Sequence, residues 1–111
     1  MLLYIQDDTI RCMIRLPDPM RFEWDDGNKD KNWLSHGVST TEAEEAFFDA
    51  KKKLANDVLH SADQEGRYIL LGKTILGRLL FIVFTIREEN VRVISARDLN
   101  RRERALYEEE N

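Results

Sequence analysis

The feature that most constrains this chain is the run at 79–86, Leu-Leu-Phe-Ile-Val-Phe-Thr-Ile, its longest apolar stretch. Eight residues are far short of the ~20 that a membrane-spanning helix needs and match an ordinary strand. The run does not alternate apolar with polar, so both of its faces require cover and the strand belongs inside a sheet. Around it, residues 67–75 and 91–96 read as further strands. The links between them, Leu76-Gly77 and Glu88-Glu89-Asn90, are short, which gives an antiparallel meander.

The segments before the meander are helical and short-stranded. Phe22-Glu23-Trp24 alternates as a brief strand, and Asp25 is placed to cap a helix ending near His36, with Gly37 as its stop. Ser39-Thr40-Thr41-Glu42 has the spacing of a capping box, and Ala43, Ala46, Phe47 and Ala50 then form one apolar helical face. Residues 49–65 are mostly polar, with a weak strand near Leu54. Asn100 or Asp98 can cap a last helix running to about Glu109. The plan is α+β, with two N-terminal helices packed on an antiparallel sheet and a short C-terminal helix. The helices would cover one sheet face and leave the other to a partner or to function.

With 111 residues, the chain holds one small core and too little for two ordinary domains. Residues 1–19 stand apart. Leu3-Tyr4-Ile5 and residues 10–16 read as two short strands around Asp7 and Asp8, and Pro17-Asp18-Pro19 then breaks regular structure. The segment reads either as an extra hairpin or as an extension. It lacks the basic leader of a secretory signal. The single Cys12 has no internal disulfide partner, which points to a reducing compartment, most simply the cytoplasm.

The net charge of −4 is an average over three unlike segments. Residues 1–65 carry −6, residues 66–104 carry +5, and residues 105–111 carry −3. Eight of the nine basic residues in the middle segment are Arg, whose planar fork binds phosphate bidentately, so a nucleic-acid role stays open. Arg97 closes a strand directly before a helix that opens with Arg101, Arg102 and Arg104. That sets positive charge beside backbone N–H groups suited to an anion. Solvated strand ends and surface Arg–Glu pairs are the plainer reading of the same residues. Two isolated His and one distant Cys have no zinc-ligand spacing, and the phosphate-loop and dinucleotide glycine patterns are absent, so no cofactor is expected. His60, in a polar loop, is a candidate acid or base, while His36 reads as a helix-end His.

The order and spacing of several short segments resemble the BrnT family of type II toxins. They are Phe22-Glu23-Trp24-Asp25, Asn32, His36-Gly37-Val38-Ser39, His60-Ser61, Arg67-Tyr68, Leu71-Gly72-Lys73-Thr74, Gly77-Arg78, Val83-Phe84-Thr85, residues 92–97, Arg102-Glu103-Arg104 and Tyr107. The resemblance runs over about four-fifths of the chain, from Met20 to about Glu109, so it divides the protein into an extension, 1–19, and a toxin domain, 20–111. Three positions depart from the family pattern: Asn28 and Ser35 stand where Lys is usual, and Glu65-Gly66 replaces a pair of acids.

The resemblance implies a RelE-like fold and an endoribonuclease that inhibits translation and growth. It also implies a BrnA-type antitoxin partner, with operator DNA reached only through that antitoxin, and no membrane association. RNA cleavage by side chains alone needs a base for the 2′-hydroxyl, charge for the phosphate and an acid for the leaving oxygen. On this reading Arg67, Arg78, Arg97 and Arg101 hold phosphate, with Arg102 and Lys73 as further RNA contacts. Glu65 or His60 moves the proton, and Tyr107 stacks on a base or donates a proton. The competing reading is a catalytically weak RelE-like module that acts only in antitoxin binding and operon autoregulation.

Overall fold

The computed structural model describes residues 3–6, 16–57 and 66–109. In chain order the elements are β1 (Leu3–Gln6), β2 (Phe22–Glu23), α1 (Asp26–His36), α2 (Thr40–Phe47), β3 (Lys53–Asp57), β4 (Tyr68–Lys73), β5 (Leu79–Arg87), β6 (Asn90–Asp98) and α3 (Arg101–Glu108). The strands form one sheet in the order β1-β3-β4-β5-β6-β2. The apolar run is β5, an inner strand, as its lack of alternation required.

The sheet is mixed rather than purely antiparallel. Phe22 and Glu23 lie parallel to Val91 and Arg92 of β6, while all the other pairings are antiparallel. The weak strand near Leu54 is β3, and it carries β1 on its outer edge. The second strand expected in the N-terminal segment falls mostly on residues 10–15, outside the described residues.

Local chemistry sets the helix ends. Gly37 sits at φ +64° and its N–H bonds back to the Trp33 carbonyl, an αL stop for α1, while the Val38 N–H reaches the Asn32 carbonyl. Ser39 and Glu42 form the expected capping box of α2, and Asn100, not Asp98, forms one with Glu103 at α3. The α2 face is shorter than its spacing suggested, because the helix ends at Phe47 and Ala50 is exposed beyond it.

Both sheet faces are covered. On the first, Val38, Ala43, Ala46 and Phe47 pack against Leu70, Leu80, Ile82, Phe84, Val91, Val93 and Ala96. Truncating a fully buried aromatic here, Phe47 or Phe84, removes ~3–5 kcal/mol. Gly72 permits the close approach of α2, since a Cβ there would lie 2.5 Å from the Ala46 carbonyl oxygen. The second face was expected to be left to a partner or to function. Instead Leu99, Leu106 and Tyr107 lie on it, against Ala55, Ile69, Leu71 and Phe81. An irregularity at Val83/Phe84 gives β6 one extra residue in its pairing with β5: Ser95 faces Val83 and Val93 faces Phe84.

Candidate functional site

Arg78 enters β5 from the Thr74–Arg78 turn, where Gly77 takes φ +95°. Its guanidinium is a junction. Nε and Nη2 donate to the two Asp98 oxygens at 2.7 and 3.2 Å, and Nη1 reaches Glu42 Oε2 at 3.1 Å. Nη1 and Nη2 also donate to the Gly37 and His36 carbonyls at 2.8 and 3.0 Å. These bonds occupy the whole fork, so Arg78 ties both N-terminal helices to the ends of β5 and β6.

The charges at this junction stabilise one another. Asp98 is held below the usual carboxylate range by the Arg78 hydrogen bonds, against its burial, with help from the positive charge of Arg104 and His36. Burial pushes Glu42 up, but the Ser39 backbone N–H and Arg78 outweigh it and the net shift is down. Arg78 is raised, chiefly by Asp98.

Arg97 and Tyr107 lie on the opposite sheet face, each with its own acid. The Arg97 guanidinium stacks 4.1 Å from the Phe81 ring centroid and makes a two-pronged bond to Glu103, at 2.8 and 2.9 Å. Glu103, 7% exposed, also accepts the Asn100 N–H of its capping box. Burial raises the Glu103 pKa, but Arg97 and the Asn100 bond outweigh it and lower it overall. Tyr107 donates its hydroxyl to Asp49, whose same oxygen accepts the Lys73 N–H, and Lys73 Nζ lies 5.9 Å from the Tyr107 ring centroid. Burial, then the Asp49 bond and charge, push the Tyr107 pKa well above its usual range, so the phenol stays a donor.

The register brings a third basic group together on that second face. Thr85 of β5 pairs directly with Arg92 of β6. Arg67 immediately precedes Tyr68, which pairs with Phe84, and so falls beside Thr85 in the phase of Ile69 and Leu71. The row Arg67–Thr85–Arg92 therefore crosses three strands. Thr85 is 2% exposed and its Oγ1 makes no hydrogen bond. Arg92 is held at 3.2 Å by Asp25, the residue expected to cap α1.

This row lies four β5 positions from the Phe81–Arg97 pair, about 13 Å along the strand. The structure thus separates Arg67 from Arg78 and Arg97 rather than collecting them. Arg101 and Arg102 are exposed on the first turn of α3, while His60 and Glu65 lie outside the described residues. Arg92, Thr85 and Asp25 were not singled out as site residues by sequence. The signal for the first two was strand alternation, readable only once the register is known. Among the described residues no three His, Cys, Asp or Glu side chains group as metal ligands.

A protein-family model described as a ribonuclease toxin, BrnT, of type II toxin–antitoxin systems matches residues 24–103. No curated protein matches the chain. The matched region takes in the helix pair, the meander, the Arg67–Thr85–Arg92 row and the Arg78 junction, well over half of the sequence. The chain belongs to the BrnT ribonuclease toxin family of type II toxin–antitoxin systems.

Proposed function

We propose that the chain is a metal-independent endoribonuclease that cleaves RNA in the cytoplasm, inhibits translation and growth, and is neutralised by a BrnA-type antitoxin. The observation that carries this reading is the cross-strand row of Arg67 and Arg92 with the unpartnered Thr85 hydroxyl between them. Two guanidiniums on one face supply fixed positive charge where a pentavalent phosphate develops negative charge. The Thr85 hydroxyl supplies a donor already withdrawn from water.

Cleavage then follows the 2′-hydroxyl route. The 2′-oxygen loses its proton and attacks phosphorus, and the 5′-oxygen leaves with a proton, giving a 2′,3′-cyclic phosphate. Glu65 or His60 moves the proton; Glu65 is two residues before Arg67 in the chain. Arg101 and Arg102, exposed, extend the phosphate-binding surface. Arg78, Arg97 and Tyr107 act here as positioning residues: Arg78 ties the helix pair to the sheet, Arg97 holds α3 through Glu103, and Tyr107 holds it through Asp49.

The full engagement of Arg78 and Arg97 also favours a second reading, a module that only binds antitoxin. Induced expression separates the two. The unsubstituted chain should arrest growth and cleave RNA in EDTA, whereas Arg67→Ala and Arg92→Ala should each lose activity on the order of a hundredfold while still folding. Full cleavage by both folded variants would remove the row from the mechanism. No arrest by the unsubstituted chain would favour the binding module.

A further inference from the structure

We propose that β1 is an intramolecular plug on a strand-docking edge, and that the β3 edge beneath it receives an extended segment of a partner protein. The family match begins at residue 24, so β1 lies outside it, and the sheet within the matched region ends on β3. β1 is the terminal strand and holds β3 alone, through four antiparallel pairs from Leu3↔Asp57 to Gln6↔Leu54. An uncovered β3 would present a row of free N–H and C=O groups, the surface on which a foreign strand adds.

The edge also specifies its occupant. Because Gln6 pairs with Leu54, a strand lying here runs toward the start of β3. Lys51, Lys52 and Lys53 are there, and Lys73 is exposed at the end of β4. The fitting segment is extended, apolar in its paired part and acidic just after it. The chain's own sequence has that form, with Leu-Tyr-Ile-Gln followed by Asp7 and Asp8. We assign this edge to such a segment of the antitoxin, which rests on the toxin–antitoxin reading above. Charge complementarity favours that partner over a neutral strand.

The test uses the full chain and a dye-labelled peptide of residues 1–8 as the probe. Tyr4→Pro/Ile5→Pro removes ladder N–H groups in both phases of β1. The peptide should bind this variant about tenfold more tightly than the unsubstituted chain, since a competent edge populated a tenth of the time weakens apparent affinity by that factor. Lys51→Glu/Lys52→Glu should weaken the binding. Failure to bind a double-proline variant that keeps its circular dichroism, or equal binding to both chains, overturns the proposal.

Hydrogen exchange on the unsubstituted chain gives a second readout that needs no substitution. Amides on the outer edge of β3 should exchange faster than those of β5, and excess peptide should slow them. Equal exchange in the two strands overturns the proposal. A co-purified antitoxin that leaves the β3 amides unprotected also overturns it. None of these readouts depends on RNA cleavage, so a chain without ribonuclease activity can still pass.

Discussion

Glu88 and Glu89 make the two-residue turn between β5 and β6 at φ 51° and 67°, with Arg87 paired to Asn90. Left-handed backbone suits glycine or asparagine, and each ordinary residue there costs roughly 1–2 kcal/mol. Glu88→Asn with Glu89→Gly should therefore raise stability by ~1–2 kcal/mol in urea unfolding. At Arg78 the effect is opposite. Arg78→Met leaves Asp98 and Glu42 without their cation, and the loss should be about 1–3 kcal/mol, limited because both acids keep access to water. Thr85→Val separates fold from function. It removes a buried hydroxyl that has no partner, so stability should hold or rise, whereas RNA cleavage should fall if that hydroxyl meets the phosphate. Unchanged cleavage by folded Thr85→Val would exclude the residue from the site.

At the scale of elements, α1 completes the β6 edge where the two-residue β2 stops. Asn32, 2% exposed, accepts the Ala96 N–H through Oδ1 at 3.1 Å, standing in for a strand carbonyl, while its Nδ2 has no partner. Asn32→Ala leaves the Ala96 N–H buried and unpaired, and should cost ~1–3 kcal/mol by chemical denaturation. Sequence reached β5, the α2 capping box, the Gly37 stop and the Asn100 option because each is written in adjacent residues. It did not reach the parallel β2–β6 pairing, since two residues carry no pattern that names a neighbour. The role of α3 was hidden for another reason. Arg101, Arg102 and Arg104 make it read as a solvated helix, yet Glu103 is buried against Arg97 and Tyr107 reaches Asp49. Arg–Glu pairing was anticipated within the helix, whereas the observed partner of Glu103 lies on β6.

For the whole molecule, three acids among the described residues stand at the helix–sheet junctions with pKa values below the ordinary range: Glu42, Asp98 and Glu103. A carboxyl whose folded pKa is depressed adds stability above its unfolded pKa and loses it as pH falls through the folded value. The urea midpoint should therefore drop as pH falls from about 5 to about 2. In Arg78→Met the drop should be smaller, because two of the three acids have lost their cation. An unchanged slope would mean that other groups govern acid unfolding. The candidate site was only half legible at this scale. Arg67 stood out in sequence, but its companions depend on a fact no spacing declares, the irregularity in β6. Arg92 and Arg97 are five residues apart, an odd number, and a regular strand would point them to opposite sides. The extra residue between them changes the parity, so that Val93 and Ala96 both look toward the helix pair while both arginines look away. Every residue after position 95 inherits its side from that one insertion. Deleting Ile94 would leave Arg92 and Arg97 four residues apart in a regular strand, on the same face as now, so the deletion should straighten β6 locally while Arg97 and the start of α3 keep their side.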